Sequence, residues 1–157
     1  MLVPSFFNLK LEALCIVESF RALVKDSGKY QMKFYTRKMV AAKDLNSNGS
    51  LFGGRLLAWI DEEAFIFSAC QLKDDSVVTR YISNIEFLST ARIGDIIEIG
   101  MEVVDMGRTS ITLTCHVRKK GTDTIITQID KIVFVLVGRD GKPKPHYQNL
   151  EVTSEAV

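Results

Sequence analysis

The chain has 157 residues, enough for one domain and for a core that needs no disulfide or metal to hold it, since domains run to roughly 100–150 residues. Hydrophobic residues make up 46% and charged residues 25%, which excludes a disordered polar chain. Lys and Arg number 20 against 19 Asp and Glu, and so balanced a charge argues against a nucleic-acid binder, which carries a basic footprint.

Three cysteines, Cys15, Cys70 and Cys115, stand far apart with no CxxC pair. Neither a disulfide framework nor a zinc site is expected, and a reduced cytoplasmic protein is the simplest reading. The apolar run at 9–17 carries Lys10 and Glu12 and lacks a cationic start and a small-residue cleavage site, so no secretory signal is expected. No apolar run approaches the ~20 residues of a membrane span. Leu14, Val17, Phe20, Leu23 and Val24 fall on one helical face, and Gly28 can end that helix. Residues 1–30 therefore read as a helical extension without catalytic duty.

The body follows. Residues 33–42 alternate weakly and suggest a strand. Residues 44–50, DLNSNGS, are turn-rich. Residues 55–71 read as a helix, with Gly53 and Gly54 just before it. Four strand-like stretches come next, at 77–87, 96–105, 110–118 and 124–137. The third alternates cleanly, with Ile111, Leu113, Cys115 and Val117 on one face. Glycine-containing turns separate these strands, so they should pair antiparallel. The inventory predicts an α+β fold, an antiparallel sheet wrapped around one long central helix, over residues 31–147. A polar tail, 148–157, closes the chain.

The predicted helix is apolar around nearly its whole circumference, which marks a buried helix. Asp61, Glu62 and Glu63 interrupt it. Asp61 has Leu57, Ala58, Ala64 and Phe65 as helical neighbours. A carboxylate in that setting is paired, hydrogen-bonded or kept for chemistry, although a lone helical acid is most often a solvated charge. Glu62 lies two turns from Arg55 and could share a polar stripe with it. Glycines before a helix let a ligand approach the unpaired first N–H groups, which suit an anion or oxyanion. A glycine pair before a helix more often serves only a tight turn into it. His116 and His146, the only histidines, read as structural or solvent-facing.

The segment DLNSNGSLFGGRLLAWIDE, residues 44–62, resembles the hotdog-fold acyl-CoA thioesterases. Their motif is an Asp-x-Asn-x-x-Gly loop, then Phe-Gly-Gly, then a helix with Asp about seven residues after the second glycine. Ile85-Glu86-Phe87, Ile93-Gly94-Asp95, Gly107-Arg108-Thr109-Ser110, Val133-Phe134-Val135 and Asp140-Gly141-Lys142-Pro143 extend the likeness over roughly residues 32–147. The resemblance implies a hydrolase of acyl-CoA to free fatty acid and coenzyme A, working across a homodimer that in some relatives assembles to a tetramer or hexamer. Asp61 would be general base or nucleophile. Asn46 of the partner protomer would orient water, and the backbone N–H groups of Gly53 and Gly54 would hold the oxyanion. Arg108, Thr109 and Ser110 would lie near coenzyme A, with Arg108 available to a phosphate. Neither metal nor cofactor is implied, coenzyme A being part of substrate and product.

One departure stands out. Relatives often carry Lys-Pro after the position of Phe87, where this chain has Leu88, Ser89 and Thr90. Two other readings share the fold. A non-enzymatic acyl-CoA-binding module would lack the catalytic carboxylate or its partner, and Asp61 and Asn46 are both present. A hotdog dehydratase needs a histidine where this chain has Phe52.

Overall fold

The structure is a computed structural model that describes residues 32–147. The expected helix within 1–30 and the tail from 148 lie outside the described residues. Strand β1 is Lys33–Met39, followed by a single 3-10 turn at Ala42–Asp44 and helix α1 at Gly53–Leu72. Then come β2 (Val77–Ile82), β3 (Glu86–Phe87), β4 (Ile96–Met106), β5 (Ser110–Lys119) and β6 (Ile125–Leu136).

The strands form one antiparallel sheet in the order β1-β4-β5-β6-β2, with the short β3 also paired to β6. β4, β5 and β6 are consecutive neighbours because short turns join them. Gly107 N–H closes the first turn onto Ser110 O at 2.9 Å. Gly121, at φ +75°, makes the second in a conformation L side chains rarely adopt. β1 and β2 occupy the two edges.

The clean alternation predicted for β5 is present: Ile111, Leu113, Cys115 and Val117 are all fully buried. The helix packs on the same core through Leu56, Ile60, Glu63, Ala64, Ser68 and Leu72. That stripe follows the helical period, so one face of α1 meets the sheet.

Several boundaries differ from the sequence expectation. The helix starts at Gly53, not Arg55, because Phe52 O already accepts the N–H groups of Arg55 and Leu56 at 2.9 and 3.1 Å. The stretch 77–87 is two strands, broken at 83–85. The helix is not buried all round in this single chain. Phe65 and Ile66 are 39% and 48% exposed. Glu62 does not pair with Arg55. It faces Lys38 of β1 at 3.4 Å, and Arg55 turns to Asp44 at 3.3 Å. Among the described residues no helix is long and apolar enough to cross a membrane.

Candidate active site

The loop before the helix is built by two side chains. Asp44 is 3% exposed. Its Oδ2 accepts the Ala41 N–H at 3.0 Å, and its carbonyl accepts the Phe52 N–H at 2.8 Å. With the Arg55 contact, Asp44 ties the loop to the first turn of the helix. Asn46 shapes the loop itself. Its Oδ1 accepts the N–H groups of Asn48 and Ser50 at 2.9 and 3.1 Å, the Asx-turn chemistry expected of this residue. Gly49 takes φ +73° to complete the turn. The carbonyl of the Asn46 amide is thus committed. Its Nδ2 group has no partner among the described residues and is left to donate.

At the helix start, Phe52 is the N-cap and offers no side-chain cap. The N–H groups of Gly53 and Gly54 consequently have no partner among the described residues, as the first turn of a helix dictates. They carry the positive end of the helix dipole. A side chain at either glycine would crowd an aromatic ring. A Cβ on Gly53 would lie 3.2 Å from the Phe87 ring, and one on Gly54 2.7 Å from the Phe52 ring. Both rings are about half exposed, so the first turn of the helix is flanked by two open aromatic side chains.

Two turns along the helix stands Asp61. It is half-buried, and its Oδ1 accepts the Thr79 hydroxyl of β2 at 2.8 Å. The β2–β6 ladder slips between Thr79 and Tyr81, an edge bulge of the kind that re-aims side chains beside active sites. Thr79 is absent from the sequence reading. The available signal was topological: a strand that directly follows a helix runs back along it, so a polar residue early in β2 meets the middle of α1.

Glu63 behaves differently. It is 9% exposed, lies on the sheet-facing stripe and accepts a hydrogen bond from the Thr36 hydroxyl. Among the described residues no cation pairs with it. Beneath it, burial first and the Glu63 charge second push the Cys115 thiol up to about 12.

Arg108 and Thr109 form the β4–β5 turn, and Ser110 opens β5. Arg108 is exposed, and its guanidinium has no partner among the described residues. Ser76, just before β2, accepts the Val137 N–H through its carbonyl at 2.8 Å, and Leu136 N–H donates to Thr109 O at 2.9 Å. The turn therefore lies at the end of the sheet where the helix finishes, opposite Gly53 and Gly54. Within one chain the structure joins Asp61 to Thr79 and the two glycines to Phe52 and Phe87. It does not join Asn46 or the glycines to Asp61, nor either to Arg108. Among the described residues no three His, Cys, Asp or Glu side chains are placed to hold a metal.

The thioesterase superfamily model matches residues 48–126, half of the chain. This chain belongs to the thioesterase superfamily. It is a hotdog-fold thioester hydrolase. The acyl-CoA thioester hydrolase YciA of Salmonella typhimurium is 31% identical, over 73% of this chain and 90% of its own length. A hexameric acyl-CoA thioesterase solved in the apo form is 34% identical, with a TM-score of 0.66, over 72% of this chain and 74% of its own. An acyl-CoA hydrolase from Staphylococcus aureus, solved with butyryl coenzyme A, is 28% identical, with a TM-score of 0.63, over 71% and 66%. That hydrolase has also been solved with an Asp replaced by Ala and, separately, with an Asn fifteen positions earlier replaced by Ala.

Proposed function

We propose that this thioesterase hydrolyses acyl-CoA, with a site completed by a second copy of the chain. The observation that carries the reading is the spacing of the parts. Gly54 and Asp61 are seven residues apart, about 10 Å along a helix axis at ~1.5 Å per residue. A reacting carbonyl must sit within about 3 Å of both its nucleophile and its oxyanion donors. One chain cannot offer both to the same thioester. A second copy related by a two-fold axis, its helix antiparallel, would bring its Gly54 beside Asp61. The open features of this chain suit that neighbour. Among the described residues the outer side of β2 is an unpaired sheet edge, an invitation to pairing. Val78 and Tyr81 on it, and Phe65 one turn beyond Asp61, are exposed. The Asn–Asp separation in the Staphylococcus aureus hydrolase equals that of Asn46 and Asp61 here, which supports the pairing of roles.

In this reading the thioester carbonyl points at the N–H groups of Gly53 and Gly54 of one protomer. Those donors stabilise the oxyanion that develops. Asn46 of the same protomer donates through Nδ2 to the attacking water. Asp61 of the other, held by Thr79, takes the proton as water adds to the carbonyl carbon. Collapse breaks the C–S bond, and the proton taken by Asp61 passes to the departing sulfur, so coenzyme A leaves as the thiol. Attack by the Asp61 carboxylate itself, with water cleaving the resulting anhydride, uses the same geometry. The route calls on no metal. Arg108 receives a phosphate of coenzyme A.

The test is thiol release from acetyl-, butyryl- and palmitoyl-CoA, followed by mixing of inactive variants. Asp61→Asn and Asn46→Ala, each inactive alone, should regain part of the activity when re-associated as heterodimers. Heterodimers that stay inactive would overturn the shared site. Binding without release from any of the three thioesters would overturn the hydrolysis of acyl-CoA.

A further inference from the structure

The segment beyond β6 folds back on the sheet and, among the described residues, reaches the turn proposed to contact coenzyme A. Gly141 N–H donates to Gly138 O at 2.9 Å, and Gly138 N–H donates to Lys142 O at 2.8 Å. This tight loop reverses the chain, and Val137 and Pro143 form an isolated bridge. Lys144 then anchors the returning strand twice. Its N–H donates to Leu136 O at 2.9 Å, and its Nζ meets Asp74 Oδ2 at 2.6 Å, just past the helix. That ammonium, with the Ser76 N–H, lowers the Asp74 carboxyl to about 2.

Two residues later His146 reaches the β4–β5 turn. Its backbone N–H donates to Arg108 O at 3.1 Å, and its ring Nε2 lies 3.3 Å from Ser110 O. A carbonyl only accepts, so Nε2 carries the proton. Nδ1 is shut away from solvent without a partner, so the ring acts as a donor at one nitrogen. The carbonyls of Arg108, Thr109 and Ser110 are then each occupied. His146 holds Arg108 O, Leu136 holds Thr109 O, and Gly107 and His146 share Ser110 O. The backbone of the turn is pinned while the Arg108 guanidinium is left exposed.

We propose that His146 is a positioning residue for Arg108, holding the turn so that the guanidinium meets the nucleotide end of the substrate. This rests on the reading of Arg108 as a phosphate contact. Preorganising a cation in advance removes part of the ordering cost of binding. It acts on affinity for the nucleotide and not on the bond being broken.

The experiment compares butyryl-CoA with butyryl-pantetheine, which has the same thioester and no nucleotide. His146→Phe keeps a ring and loses the donor, and His146→Gln restores a donor. His146→Phe should raise KM for butyryl-CoA roughly 3–10-fold, as expected for one lost hydrogen bond. Its kcat should stay within about 2-fold, and its kinetics on butyryl-pantetheine should match wild type. His146→Gln should recover most of the KM. In an Arg108→Ala background His146→Phe should add nothing, because the two residues act on one contact. Equal losses on both substrates, a loss confined to kcat, or full additivity with Arg108→Ala would overturn the proposal. The failures are separable. A wild type inactive on butyryl-CoA overturns the acyl-CoA reading. An active wild type with an unaffected Arg108→Ala overturns the phosphate contact and His146 with it. A damaged Arg108→Ala beside a normal His146→Phe overturns His146 alone.

Discussion

Asp61 and Glu63 stand two residues apart on one helix, about 200° around its axis at 3.6 residues per turn, and meet opposite surroundings. Asp61 faces the free edge of the sheet and holds the hydroxyl of Thr79 at 2.8 Å. Glu63 faces inward, 9% exposed, above Cys115 and against Thr36. Both have apolar helical neighbours, so pattern alone treats them alike. On the proposed function, the functional acid is the one whose burial is incomplete in a single chain. In that proposal the thioester reaches Asp61 from the side of the helix left open to a second copy and a substrate. Glu63 is closed off by its own sheet.

Replacing each acid by its amide breaks this comparison if it is wrong. Asp61→Asn should lower kcat by about 10²–10⁴-fold, the usual range for a lost general base. Its thermal unfolding should match wild type, because the amide keeps an acceptor for Thr79. Near-normal turnover in a folded Asp61→Asn would remove Asp61 from the chemistry. A comparable kcat loss in Glu63→Gln would move the catalytic carboxylate to the inner face.

Thr79→Val sharpens the outer half of the comparison. The side chain keeps its shape and loses the hydroxyl that orients Asp61. A hydrogen bond to a charged group contributes about 1.5–3 kcal/mol, so kcat should fall on the order of 10-fold while KM for acyl-CoA changes little. A change in KM alone would show that Thr79 touches substrate and does not aim the carboxylate.

Which parts of this arrangement were readable in the sequence follows from how local they are. β5 was legible because one face of a sheet imposes a period of two, and its four inward residues are fully buried. The loop at Asn46 was legible because its hydrogen bonds span two and four residues. The helix start was misplaced by two residues because Gly53 and Gly54 look like a linker, yet Phe52 caps the turn they occupy. The pairing of Thr79 with Asp61 spans 18 residues and depends on the register of β2 against β6. The inward turn of Glu63 depends on which helical stripe the sheet selects, and an all-round apolar helix offers no preference. The exposure of Phe65 and Ile66 is the source of that ambiguity: in the proposed dimer the helix buries one face in its own sheet and offers another to a second copy, which calls for apolar residues on both.

Glu63→Gln tests the inner half. The buried carboxylate has one hydroxyl donor and, among the described residues, no cation. Removing its charge while keeping an acceptor for Thr36 should raise stability by about 1 kcal/mol, since buried charges are often better replaced by neutral groups. The melting temperature should rise by a few degrees, and kcat should stay within about 3-fold. A large destabilisation would show that the charge, and not only the acceptor, is needed at this position.

The smallest expected effect concerns the thiol beneath Glu63. Burial raises Cys115 from 9.0 to about 12, with the Glu63 charge a lesser cause. At pH 8 a thiol reagent should therefore label exposed Cys70 and spare Cys115 until the chain unfolds. The same shift sets the sign of an alkaline effect. Between pH 9 and about 12 the unfolded chain loses this proton while the folded chain keeps it. Raising the pH then favours unfolding through this group, and its contribution is full below 9 and lost on passing about 12. Wild type should lose stability more steeply across that window than Cys115→Ala, measured by denaturant midpoints at each pH. In Glu63→Gln the steepness should ease only slightly, because the sheet still buries the thiol. A complete loss of the pH dependence in Glu63→Gln would show that charge, not burial, dominates the inner face.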